Sequence, residues 1–178
     1  LFTFLLVVDF FSLHNQLMKD TFPSLMQMLT ELIAAPSMSS VSAAFDTDNM
    51  AVINLLANWC LSLGFEVEVL PLPNQPGKAN LIATLGSGSG GLVLAGHSDT
   101  VPYDEGRWNH DPFILTEHHN RLYGLGISDM KSFFALAIEA SRAFADHTLQ
   151  HPLIILATAD EESSMEGARA LVNLGKPH

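Results

Sequence analysis

Residues 152–159, PLIILATA, form an unbroken apolar run that stops abruptly at Asp160-Glu161-Glu162. A strand with no polar face must be covered on both sides, which is the situation of a central strand in a layered α/β sheet. A second apolar run, Leu92-Val93-Leu94-Ala95, is long enough for a buried strand and too short for a helix. It ends at Gly96, and His97, Ser98 and Asp99 follow. Residues two apart in extended chain share a side, so His97 and Asp99 should project together from a strand end. Ligand sites in open α/β sheets form at such ends.

Helical and strand patterns alternate around these two runs. Thr21 is placed to cap a helix with Pro23 in its first turn, and Phe22, Leu25, Leu29, Leu32 and Ile33 recur at helical spacing. Pro36 and a serine-rich stretch to Ser42 end it. A second helix should begin near Asp46 or Asp48, with Ile53, Leu56, Ala57, Cys60 and Leu63 as its apolar stripe and Gly64 as its C-terminal cap. Residues 65–70 alternate as a strand with Glu66 and Glu68 on the wet face, and residues 80–85 read as another. The turn GSGSGG resembles a phosphate loop only in its glycine content, because no GK[ST] follows. Short strands are expected at 114–116 and 121–123 around the turn HHN, with His118 and His119 facing solvent. Residues 130–145 read as a helix that is apolar nearly all round, and Ser163 with Glu166 has the spacing of a capping box for a last helix closed by Gly175.

Charge narrows the function. Lys+Arg 8 against Asp+Glu 19 leaves a formal charge of −11, which argues against nucleic acid and against an anionic membrane surface as partners. Cys60 is the single cysteine, so no intrachain disulfide can form, and a reducing compartment, the cytoplasm, is expected. The opening LFTFLLVVDFFSL is too short to span a bilayer, is interrupted by Asp9 and has no preceding Lys or Arg. Met18 opens a more ordinary start, so residues 1–17 are expected to be upstream or misannotated sequence and residues 18–178 the body of the domain.

Three segment ends now carry an imidazole or acids: His97 with Asp99, Asp129, and Glu161 with Glu162. Buried carboxylates need partners, and Lys131 is the one cation close to them in sequence. One or two divalent metals would satisfy the cluster, and His with carboxylates and no thiolate suits zinc, cobalt or manganese. On this reading His97 binds metal and Asp99 orients it; the alternative is a hydrogen-bonded strand-end turn without metal. Adjacent residues in extended chain face opposite ways, so one of Glu161 and Glu162 would bind metal and the other would face its water as general base. The alternative there is an acidic helix N-terminus favoured by the macrodipole.

The stretches GHSDTVP at 96–102, GRWNHDPF at 106–113, RLYGLGISDMKSFFA at 121–135 and ATADEES at 157–163 carry a resemblance. In this order they resemble the dinuclear zinc metallopeptidase and deacylase family that includes acetylornithine deacetylase, succinyl-diaminopimelate desuccinylase and glutamate carboxypeptidases. YDEGRW and LTEHHNRLYGLG are most similar to its acetylornithine deacetylase branch. The resemblance implies a three-layer α/β/α fold with a mixed, mainly parallel sheet and a site for two Zn2+, with Co2+ able to substitute. It implies His97 on one metal, Glu162 on the other, Asp129 bridging both, Glu161 as general base and Asp99 as the acid behind His97. It also implies hydrolysis of a small N-acyl amino acid, acetylornithine in that branch, as a step of arginine synthesis, by a homodimer. The family places two further ligands and a smaller lid and dimerisation domain downstream of the motifs present. The chain is therefore expected to be an N-terminal fragment, inactive as written and exposing an apolar patch. Ser132 stands where the family usually has Gly after DMK.

Overall fold

The computed structural model of the chain describes residues 22–176, so the segment 1–17 and the cap expected at Thr21 lie outside the described residues. Helix α1 spans Leu25–Ala34. Its cap is Ser24, whose Oγ accepts from Gln27 N while Gln27 Oε1 accepts from Ser24 N, a reciprocal capping box just after Pro23. Helix α2, Met50–Ser62, starts later than Asp46 or Asp48. Asn49 precedes it, and the Asn49 side chain ties the helix start to the sheet by bonding both N–H and C=O of Ala79. Gly64, at φ +83°, takes the left-handed position after the helix end.

Four strands form the main sheet: β1 Glu66–Pro71, β2 Ala79–Leu85, β3 Leu92–His97 and β6 Leu153–Thr158, in the order β1-β2-β6-β3. The sheet is mixed, but it is not mainly parallel among the described residues. β1 with β2 and β2 with β6 are antiparallel, and β3 with β6 is parallel. A short loop can only return the chain antiparallel, as between β1 and β2, whereas the β3–β6 crossover carries helix α3, Lys131–Arg142. Strands β4 Thr116–His118 and β5 Arg121–Tyr123 make a separate hairpin, two residues further on than expected for β4. His119 and Asn120, both at positive φ, form its two-residue turn.

Helices cover both faces, giving three layers. On one face Met28 and Leu32 of α1, Ile53 and Leu56 of α2, and Phe134 and Ile138 of α3 pack on Leu81, Ala83, Ile155 and Ala157. On the other, Leu171 of helix α4, Glu166–Leu174, packs on Ile82, Ile154 and Leu156. Each fully buried Leu or Ile of this kind stabilises by about 1.5–3 kcal/mol. β6 is the central strand that its apolar run requires.

Several expectations need correction. β3 is at the sheet edge rather than buried, with Leu92 58% and Val93 41% exposed, because its pairing among the described residues is to β6 alone. Helix α3 is shorter than 130–145, and Leu136 faces solvent, so it is not buried all round. Ser163 and Glu166 make no capping box: α4 starts at Glu166 after Met165, which sits in the left-handed region with no side-chain cap bond. The turn before it is held instead by Met165 N donating to Asp160 O at 2.6 Å.

Among the described residues no helix is long and apolar enough to cross a membrane. Burial raises the Cys60 thiol to about 12. Its reaction with Ellman's reagent should therefore follow global unfolding, with no labelling of the native protein on the timescale of minutes.

Candidate metal centre

Parallel pairing brings the C-terminal ends of β3 and β6 side by side, with His97 in register with Thr158 and Ser98 N bonded to Thr158 O at 2.8 Å. The loop after β3 and the acidic turn after β6 must then emerge together. The third contributor, Asp129, ends the loop before α3. That loop is tightened at Gly126, φ +83°, where a Cβ would come within 2.7 Å of Thr100 Cγ2. Gly126 O accepts from Lys131 N at 2.8 Å, which fixes the start of the helix.

The side chains converge. His97 Nε2 lies 3.0 Å from Asp129 Oδ1 and 3.8 Å from Glu161 Oε2. Nitrogen or oxygen atoms of His97, Glu161 and Glu162 all lie within 4.8 Å of one another. His97 Nδ1 lies 3.0 Å from the Asp99 main-chain carbonyl and 3.6 Å from Asp99 Oδ1. The orienting partner in hydrogen-bond range is thus the Asp99 backbone, with its carboxylate close behind. A proton on Nδ1 leaves the Nε2 lone pair aimed at the acids.

Asp99 is 1% exposed and does more than face His97. Its Oδ1 accepts from Glu161 N at 3.2 Å and its Oδ2 from Glu162 N at 3.0 Å. One carboxylate therefore binds the imidazole strand and the glutamate turn together. The turn is not extended: Asp160 has φ +60°, and the chain bends so that both glutamates can reach the same point.

The charges are unbalanced in the direction of a cation. Burial disfavours the imidazolium of His97, but the Asp99 and Asp129 carboxylates outweigh it and raise its pKa to about 9. Burial likewise disfavours ionised Asp99, but His97, the Glu162 and Glu161 N–H groups and the Ser39 hydroxyl hold its carboxyl below the ordinary range. Glu162 is pushed up by burial and by the like charges of Asp129, Glu161 and Asp99. A divalent cation among these groups would relieve that repulsion and take the Nε2 lone pair. The donor set of imidazole and carboxylates, without thiolate, fits zinc, cobalt or manganese.

A pKa raised on folding adds stability that is complete below the unfolded value, about 6.5, and is lost as pH climbs through about 9. The stability advantage of metal-free protein over its His97→Gln variant should therefore shrink across that window in thermal melts. Lys131, which burial lowers to about 8, acts in the opposite sense above that pH, and the variant reference cancels it.

One expectation about the surroundings changes. Asp129 and Glu161 are not buried, with side chains 74% and 46% exposed, because they stand at the open rim of the sheet. Lys131, the cation near them in sequence, feels the charge of Asp99 but donates from Nζ to Leu32 O at 3.1 Å and Ala35 O at 2.6 Å, closing the C-terminus of α1. The buried ammonium that does meet a site carboxylate is Lys78, 2.6 Å from Asp160 Oδ1. Residue order alone does not single out Ser37, Ser39, Lys78 and Asp160. The serine-rich segment carried a weak signal, polar residues too many for a simple connector, and Lys78 carried none.

Comparison with known proteins gives a consistent picture. Residues 93–178 match the model of peptidase family M20/M25/M40. The chain is 58% identical over 147 residues to an acetylornithine deacetylase from Proteus mirabilis, covering 83% of this chain and 38% of that one. It is 56% identical over 152 residues to an acetylornithine deacetylase from Klebsiella pneumoniae, covering 85% and 40%. The chain thus spans about two fifths of the length of these curated relatives. Human carnosine dipeptidase 1 superposes with a TM-score of 0.73 at 26% identity, over 91% of this chain and 37% of that chain. A metallo-carboxypeptidase from Sulfolobus solfataricus superposes at 0.65 and 23% identity, over 79% and 31%, and shares the fold.

Proposed function

We propose that the chain belongs to peptidase family M20/M25/M40, whose model residues 93–178 match, and that the complete protein is a metal-dependent amide hydrolase that converts N2-acetyl-L-ornithine to L-ornithine and acetate. The observation that carries this reading is the convergence of His97, Asp129, Glu161 and Glu162 with Asp99 behind them. The identity to acetylornithine deacetylases supports the substrate. Residues 18–178 are then the N-terminal part of the catalytic domain. A homodimer working in the cytoplasm, in arginine synthesis, completes the reading.

His97 would hold one ion through Nε2, Glu162 the other, and Asp129 would bridge them. Zinc is the proposed ion, with cobalt as a substitute. Bound there, the ions supply Lewis acidity towards the amide carbonyl and lower the pKa of water. Asp99 keeps the proton of His97 on Nδ1 and fixes both glutamate N–H groups. Glu161, with its carboxylate open to solvent, takes the proton of the attacking water and returns it to the leaving amine.

A substrate panel on the full-length protein tests this. Turnover of acetylornithine, dependent on added zinc or cobalt and well above that of succinyl-diaminopimelate and acyl-glutamate peptides, is the expected result. Preference for either of the others, or for a dipeptide like that named for the human structural neighbour, would move the substrate and keep the hydrolase. No metal-dependent hydrolysis of any of them would sink the reading.

A further inference from the structure

Four segments that lie far apart in sequence meet behind the Glu161–Glu162 turn. Ser39, 2% exposed, donates from Oγ to Asp160 Oδ1 at 2.8 Å. Lys78 Nζ meets the same oxygen at 2.6 Å and also holds Asp46 Oδ1 at 2.6 Å. Ser39 therefore holds the buried carboxylate of Asp160, 1% exposed, the residue that immediately precedes Glu161 and Glu162.

Its own backbone is fixed. Ser39 N donates to Thr100 O at 2.9 Å, and Thr100 N donates to Ser37 O at 3.0 Å. Ser37 Oγ donates to Ser98 O at 2.8 Å, and Met38 pairs with Thr100 as an isolated parallel bridge. The segment after α1 thus runs beside the residues that follow His97, and presents Ser39 to the acidic turn.

A hydroxyl has one proton to give, and Ser39 gives it to Asp160, which a methyl group could not do. With the Lys78 ammonium on the same oxygen, the hydroxyl fixes the Asp160 carboxylate at the head of the glutamate turn. Asp160 leads directly into Glu161 and Glu162, whose N–H groups Asp99 holds, so a shift of Asp160 passes to those two side chains. We propose that Ser39 is a positioning residue of the metal centre, which sets the turn carrying Glu161 and Glu162 against His97. The proposal rests on the reading of that centre as a cation site given above.

The test is a titration of the full-length protein with Co2+, followed by visible absorption, beside the melting temperature of each metal-free variant. Ser39→Ala should weaken Co2+ binding by about 10–100-fold and alter the absorption band. Ser39→Thr, which retains the hydroxyl, should recover both. A folded Ser39→Ala protein that melts earlier yet keeps the wild-type affinity and spectrum overturns the proposal, because the hydroxyl then serves only the fold. If Ser39→Ala does not fold, Asp160→Asn is read in its place, since Lys78 keeps Asp46 as partner. Weakened binding there supports the proposal and unchanged binding overturns it. A wild-type protein that takes up no Co2+ defeats the metal-centre reading itself, so the wild-type titration tells the two failures apart.

Discussion

Glu161→Gln in the full-length protein should lower kcat on N2-acetyl-L-ornithine by about 10²–10⁴-fold, the contribution of a positioned general base, while leaving metal bound. The amide keeps the size of the side chain and its backbone bond to Asp99, so the turn has no reason to move. What is lost is a group able to accept the proton of water at the rim of the site, where the Glu161 side chain is half exposed. Atomic absorption on the variant, beside its kcat, separates the roles of the two glutamates. Full activity would refute the base. Loss of metal together with activity would make Glu161 a ligand, which its place within 4.8 Å of His97 and Glu162 donors permits geometrically.

Gly167→Ala should cost about 3 kcal/mol of stability, the upper end for forcing an extra methyl into packed structure. A Cβ there would lie 2.4 Å from Ala159 O, 2.5 Å from Asn80 Oδ1 and 2.6 Å from Ala159 N. Two of those atoms are backbone and cannot swing away. The third belongs to Asn80, which donates to Gly167 O at 2.8 Å and accepts from Ala159 N at 3.0 Å, stitching β2, the end of β6 and the start of α4. Urea denaturation would report the loss. Because residues 160–165 are strung between Ala159 and Gly167, the variant should also bind metal more weakly; a wild-type midpoint would show that the contact is slack.

Much of this was readable from residue order alone. The alternation of apolar runs with helical stripes predicts layers of helices on a sheet, and the residues after two of the runs mark where polar chemistry gathers. What residue order does not carry is strand adjacency. Leu92-Val93-Leu94-Ala95 is as apolar as a central strand, yet its place at the edge depends on which strands pair, a property of the whole sheet. The direction of pairing lies beyond residue order for the same reason: the turn between β1 and β2 is local, but β2 beside β6 is not. In the site, His97, Asp99, Asp129 and the glutamate pair stand out by residue type. Ser39 and Lys78 do not, since a serine in a loop and a lysine before a strand are ordinary until contacts over 121 and 82 residues show what they hold.

Those long spans have a kinetic consequence. Closing loops of such length costs entropy before any contact is gained, and a parallel pair such as β3 with β6 forms only after its crossover is in place. No early, locally folded stretch of the chain holds both the imidazole and the glutamates. Ion capture should therefore coincide with the last cooperative step of folding, so that the appearance of a cobalt spectrum after dilution from denaturant times the completion of the sheet.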